Sequence, residues 1–240
     1  MALHHEIRPN HLKPATTLAE RVLLPGDPHR ALAVAQHLLE RPRMFNHHRG
    51  LWGYSGVAPD GEPLTIQSTG MGGPSAAIVV EEVIALGGRR LVRIGTCGSL
   101  ADDLELGTLL AVERVLPADG TSVALGASGH LCPDPKLLER LVAAGARPAT
   151  IASTDLFYDP RESESGAWVR DGAMAVEMEA AAIFAVAERR GAEAACVLGV
   201  SDVAGPDGTT MRASPERMEE IGLRVGHAGY AALAALPRNR

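Results

Sequence analysis

The stretch RVLLPGDPHRALAVAQHLLE, residues 21–40, decides how the chain begins to fold. Arg21–Leu24 is a short apolar run bounded by breakers, the pattern of a buried strand. Pro25-Gly26-Asp27-Pro28 ends that run sharply. Asp27 suits a helix N-cap and Pro28 a first helical position, so a helix is predicted over about residues 28–39. A buried strand passing through a glycine turn into a helix is the opening unit of an α/β fold.

Working outward, Leu51–Val57 and Leu64–Thr69 read as strands joined by the turn Pro59-Asp60-Gly61, an antiparallel hairpin. Gly70-Met71-Gly72-Gly73-Pro74 opens a second helix, Ser75–Leu86, which Gly87-Gly88 closes. Arg90–Ile94 is a strand ending in a predicted loop, Gly95–Ser99. Leu109–Val115 is another strand, and Asp119–Pro135 shows little periodicity. Helices are predicted over Leu137–Ala144 and Glu162–Arg170, with a strand at Ala149–Ser153 between them. Ala173–Val176 runs extended into a helix from about Glu179 to Arg190. Ala194–Val200 is the last strand, Val203–Ala213 a loop, and Ser214 caps a terminal helix reaching about Leu236. Strands alternating with helices, without repeats or linkers, predict one α/β domain over residues 1–240.

Composition narrows the function. Hydrophobic residues make up 46% of the 240 but aromatics only 3%, so a base-stacking surface for single-stranded nucleic acid is not expected. A net charge of −6 argues against nucleic-acid or anionic-membrane partners. Lys13 and Lys136 are the only lysines, so arginine is the default cation and each must be judged by position. Cys97, Cys132 and Cys196 have no zinc or disulfide spacing, which fits a reducing cytoplasm. There is no secretory signal pattern and no apolar run of membrane-spanning length. His4-His5 and His47-His48 are adjacent pairs whose side chains diverge on an extended chain, so no metal is expected.

Five segments carry candidate chemistry. Gly26-Asp27-Pro28-His29-Arg30 places a helix N-terminus and a guanidinium after a strand, an arrangement suited to an anion. The Gly70–Ser75 loop approaches a dinucleotide fingerprint. Pro74, and Arg93 and Gly95 in place of a ribose-binding acid, count against it. Arg93, in an otherwise apolar strand, needs a partner or an anion, and Thr96 could donate to the same anion. Cys97 has no adjacent base and reads as a small buried side chain. Glu177 and Glu179, two apart, could both face one pocket, where a carboxylate can hold vicinal hydroxyls or a developing cation. Ser201-Asp202 follows the last strand, where open α/β sheets place ligands, and Asp202 could act as a general acid.

Together these segments resemble the trimeric and hexameric nucleoside phosphorylases, which include bacterial purine nucleoside and uridine phosphorylases. The strings LPGDPHR, Arg49-Gly50, GMGGPS, RIGTCG, Asp155-Leu156-Phe157-Tyr158, VEMEA and Ser201-Asp202 occur in that family's order, from about Arg21 to the terminal helix. The match is thinnest across Ser122–Ala149. The resemblance implies a three-layer α/β/α domain with a mixed central sheet, and phosphorolysis of purine (deoxy)ribonucleosides without metal or organic cofactor. It implies that Gly26, Arg30, Arg93 and Thr96 bind phosphate, with Arg49 reaching into a neighbouring subunit. Glu179 and Met178 would bind the ribose, and His4 or His5 would be lent by the neighbour to its 5′-hydroxyl. Glu177 and Val176 would line the ribose and base pocket, with Phe157 against the base and Ser201 beside it. Asp202 would protonate purine N7, assisted by Arg217 or, alternatively, Arg212. Aspartate at this position implies that 6-amino and 6-oxo purines are both accepted.

The resemblance further implies a homo-oligomer, a hexamer built as a trimer of dimers. Three alternatives share the fold: uridine phosphorylase, whose glutamine–arginine base pair is not found here; a methylthioadenosine/adenosylhomocysteine nucleosidase, which needs no phosphate clamp; and a non-catalytic nucleoside-binding protein.

Overall fold

The computed structural model describes residues 7–205 and 209–235. Its opening unit is β1 (Arg21–Leu24) followed by α1 (Pro28–Leu38), with the Asp27 carboxylate accepting from the N–H of His29 at 2.9 Å and of Arg30 at 3.3 Å. The strand is buried along its length because both faces are covered. The predicted hairpin is present as β3 (Gly53–Val57) and β4 (Pro63–Gln67), paired antiparallel. Outside it lies β2 (Glu40–Asn46), an edge strand that the sequence did not reveal. Its residues ERPRM are exposed, so no alternation marks them, and Pro42 is tolerated because an edge strand has one unpaired side.

The remaining elements in chain order are α2 (Gly73–Ala85), β5 (Arg90–Ser99), β6 (Leu109–Ala118), α3 (Gly120–Ala124), α4 (Pro135–Ala143), β7 (Arg147–Thr154), α5 (Glu162–Arg170), β8 (Ala175–Glu177), α6 (Ala180–Arg190), β9 (Glu193–Ala204), β10 (Thr210–Arg212) and α7 (Pro215–Leu233). All strands join one mixed sheet, in the order β10-β9-β6-β7-β8-β5-β1-β4-β3-β2. The strand β5 also pairs parallel with β9, so β5, β9, β6, β7 and β8 form a closed ring from which β1, β4, β3 and β2 extend. Helices α2, α3 and α6 pack together on one side of the sheet, and α1, α4 and α7 on the other. Residues Ala180–Ala187 of α6 are all buried, which requires a helix apolar on every face and explains its run of small aliphatics. No helix of the described residues is long and apolar enough to cross a membrane.

Two predicted loops are strands instead. Gly95–Ser99 continues β5, because β9 pairs with it as far as Gly98 and β8 pairs with Gly98 and Ser99. Cross-strand pairing on both sides outweighs the low β-propensity of two glycines. Within Val203–Ala213, β9 runs on to Ala204 and β10 returns antiparallel, setting Arg212 opposite Asp202.

Candidate active site

The ends of β1, β5, β8 and β9 open into a cleft of about 800 Å³. This is the position where strand order reverses direction around β5, the usual ligand site of an α/β sheet. Gly26, Arg30, Arg93 and Thr96 line one end, and Phe157, Ser201, Asp202 and Arg212 the other, with Val176, Glu177, Met178 and Glu179 between them.

The first end is organised around Arg93, which is 3% exposed. Its Nε donates to Glu177 Oε2 at 2.8 Å, and Nη2 lies 2.8 Å from the same oxygen and 2.6 Å from Glu179 Oε2. Nη1 is buried without a partner among the described residues and sits next to Gly26, where an added Cβ would be 3.9 Å away. Burial opposes the charge on Arg93, but Glu179 and Glu177 offset it and hold the guanidinium above its ordinary value. Gly95 makes the geometry possible. The guanidinium folds back over its own strand, and a Cβ at 95 would lie 2.7 Å from Nη2 and 2.8 Å from Cζ.

Arg30 reaches the same end from the first turn of α1, with Nη1 3.5 Å from the Ile94 carbonyl. Burial pushes its guanidinium below the ordinary value. Asp27 acts in the opposite sense, and the nearby Arg93 cation adds to the fall. Two cations sharing a half-buried space are relieved by an anion between them. The backbone contributes less than the sequence suggested, because the Asp27 cap already takes the His29 and Arg30 amides. The cationic character of this end therefore comes from side-chain guanidinium groups more than from the α1 dipole. Arg93 can offer an anion one nitrogen, so a bidentate grip from it is not available.

Glu179 is 6% exposed and accepts from the Gly72 N–H at 2.6 Å through Oε1, while Oε2 faces Arg93. Gly72 has φ 83°, a left-handed conformation natural to glycine, which aims its amide at the carboxylate. Burial raises the Glu179 carboxyl above its usual range; Arg93 pulls the other way, and the second carboxylate, Glu177, adds to the rise. Removal from water, which disfavours the charged form, accounts for the direction. Each Glu179 oxygen keeps a lone pair for a hydroxyl donor. Glu177 is different. Both of its oxygens are engaged within the protein, by Arg93, Ser153 and the N–H groups of Glu179 and Ala180. Cys97 is buried and its thiol is pushed well up by that burial, which is the environment of an inert cysteine.

At the second end, Asp202 Oδ1 lies 2.9 Å from Arg212 Nε, and Oδ2 is 2.6 Å from the Ser201 hydroxyl. The Arg212 guanidinium stands 5.6 Å from the Phe157 ring centroid, a cation–π contact that joins the acid to the aromatic wall. Arg217 is elsewhere: Nη1 lies 2.6 Å from Glu220 Oε2 and Nη2 3.3 Å from the Leu106 carbonyl. In this arrangement Arg212, and not Arg217, accompanies Asp202. Arg49 is exposed in a single 3-10 turn, with φ 59°, and does not line its own chain's cleft. His4 and His5 lie outside the described residues. Ser153 and the Gly72 amide were missed from the sequence; a lone serine in a buried strand and a backbone N–H leave no local signature.

One cleft thus gathers a buried arginine braced by two carboxylates, a second arginine beside it and an acid at the far end. The family model described as Phosphorylase superfamily matches residues 20–235, and the chain belongs to that family. A purine nucleoside phosphorylase DeoD-type from Caldanaerobacter subterraneus subsp. tengcongensis is 37% identical over 197 residues, covering 77% of this chain and 83% of the relative. Proteins of the same description from Jannaschia sp. and Geobacillus kaustophilus are each 36% identical, over 199 and 194 residues; both matches cover 77% of this chain, with 82% and 81% of the respective relatives.

Proposed function

We propose that this protein is a purine nucleoside phosphorylase, transferring the (deoxy)ribosyl group of a purine nucleoside to inorganic phosphate. The observation that carries this function is the buried, unpartnered Nη1 of Arg93 beside Gly26, with Arg30 on the same space. A water nucleophile needs no such cationic cradle, which weighs against the hydrolase alternative. Asp202 in the base end favours purines over uridine.

In this mechanism phosphate lies between Arg30, Arg93 Nη1 and the Thr96 hydroxyl, and Glu179 accepts from the ribose hydroxyls with Met178 beside them. A phosphate oxygen bonds to C1′ as the C1′–N9 bond breaks, and the bonding pair leaves with the purine. Asp202, having taken up a proton from solvent on parting from Arg212, gives that proton to N7, so the base departs neutral and Asp202 returns to the carboxylate. Its Oδ1 is held by Arg212 and its Oδ2 by Ser201, so one of these partners gives way when the base docks. Arg217, after leaving Glu220 and the Leu106 carbonyl, assists the proton transfer, or alternatively Arg212, which is already on Asp202, does so. Fixing the nucleophile against C1′ supplies up to about 7–11 kcal/mol in favourable systems, and charge stabilisation adds to it. Phosphate is a co-substrate, and the reaction requires no cofactor or metal.

The assembly is a homo-oligomer, a hexamer formed as a trimer of dimers, in the cytoplasm. The exposed Arg49, held with positive φ and not lining its own cleft, supports a role in completing a neighbour's phosphate site. The test is base release from inosine, adenosine and uridine, with and without phosphate. Phosphate-dependent release from the purine nucleosides is expected; release indifferent to phosphate would assign a hydrolase, and release from uridine alone a uridine phosphorylase.

A further inference from the structure

Ser153 lies on β7, wholly buried, in parallel register with Glu177 on β8, and it does not line the cleft. Its hydroxyl donates to Glu177 Oε1 and accepts from the Ala181 N–H at 3.0 Å. A hydroxyl carries one proton and two lone pairs, so it can do both at once. Glu177 is thereby fixed on every side. Oε1 takes Ser153 and the Ala180 N–H at 3.0 Å. Oε2 takes the Ala180 N–H at 3.0 Å, the Glu179 N–H at 2.9 Å, and Nε and Nη2 of Arg93.

We propose that Ser153 is a positioning residue for the phosphate end of the cleft: through Glu177 it sets the orientation of the Arg93 guanidinium, so that Nη1 faces the space beside Gly26. The terminal torsion of a glutamate is soft, so its carboxylate plane is decided by its partners. Arg93 follows that plane, because two of its nitrogens bind one carboxylate oxygen. Gly95 forms the opposite wall, close enough that a Cβ there would meet the guanidinium. Without the Ser153 hydroxyl, Oε1 keeps only an amide, the carboxylate can turn, and Nη1 is carried off its aim. Glu179 shares Arg93 Nη2 through Oε2 but keeps its own bond to the Gly72 N–H through Oε1, so it moves less than Nη1 does. The inference rests on reading this end as a phosphate site.

The experiment titrates inorganic phosphate and inosine separately into the full-length protein and its Ser153→Ala variant by calorimetry, alongside KM for each substrate. Loss of one hydrogen bond to a charged group predicts phosphate Kd and KM raised about tenfold, with the inosine values within about twofold. Ser153→Thr keeps the hydroxyl and restores phosphate affinity, which replacement of a merely packed side chain would not do. Unchanged phosphate affinity in Ser153→Ala, or equal losses for phosphate and inosine, would overturn the proposal. Unmutated protein that binds no phosphate would overturn the phosphorylase function itself, a result distinct from a silent Ser153→Ala.

Discussion

At the proposed phosphate end of the cleft, Arg93 is 3% exposed, and of the two carboxylates around it Glu177 is held by backbone amides at the start of α6 and Glu179 by the Gly72 amide at the start of α2. At the base end, Phe157 is 59% exposed, the Arg212 side chain is also 59% exposed, and Asp202 is tied to a three-residue edge strand. The contrast separates two tasks. Holding a small, doubly charged nucleophile in place rewards fixed, buried geometry, because electrostatic interactions strengthen away from water. Admitting and releasing a bulky planar base needs side chains that can move at little cost, and exposed ion pairs contribute only about 0–1 kcal/mol.

Substitutions at the two ends should therefore fail in different ways. Asp202→Asn removes the proton donor without disturbing the buried end. Turnover of inosine should fall about 100-fold or more while calorimetric phosphate binding is unchanged; retained turnover would remove Asp202 from the mechanism. Arg93→Ala should raise phosphate KM more than nucleoside KM. It also leaves Glu177 and Glu179 buried without their cation, lowering stability by about 3–5 kcal/mol in denaturant unfolding. A variant with unaltered phosphate dependence would move the anion site elsewhere.

Smaller effects distinguish Arg212, at the base end, from Arg217, which lies away from the cleft. Arg217→Ala is expected to lower kcat about tenfold and Arg212→Ala less than about threefold, with both changing stability by under about 1 kcal/mol. The reverse order in kcat would give the assisting role to Arg212, the arginine already on Asp202. The mildest effect is on pH. Burial raises the Glu179 carboxyl from its ordinary 4.5, so as pH falls it takes up a proton before exposed glutamates do. A protonated Glu179 loses its charge against Arg93 and accepts less strongly from hydroxyls. At saturating phosphate, nucleoside KM should rise on the acid side, beginning above pH 4.5. A flat acid limb down to that pH would place Glu179 outside ribose binding.

The sequence displayed what is encoded by one residue standing against its neighbours. Arg93 inside LVRIG, Glu177 and Glu179 in VEMEA, and Asp202 after the VLGVS run are charges within or just beyond apolar strands, and charges there need a reason. The β1–α1 unit was equally legible, because Asp27 and Pro28 mark a helix start chemically. Closure of the sheet through β5 and β9 was not, since pairing between residues a hundred apart leaves no local pattern. For the same reason Ser153 looked like any strand serine, and β10 looked like part of a loop. Arg217 illustrates a further limit: spacing along the chain identifies an arginine, but not which carboxylate it meets.

The central claim is that the buried end of the cleft delivers phosphate, and not water, to C1′. Phosphorus-31 NMR of a reaction containing inosine and inorganic phosphate tests it directly. A new sugar phosphomonoester signal growing in step with hypoxanthine release, and no release when phosphate is omitted, is the predicted result. Hypoxanthine appearing with free ribose, while the phosphate signal stays unchanged, would contradict it.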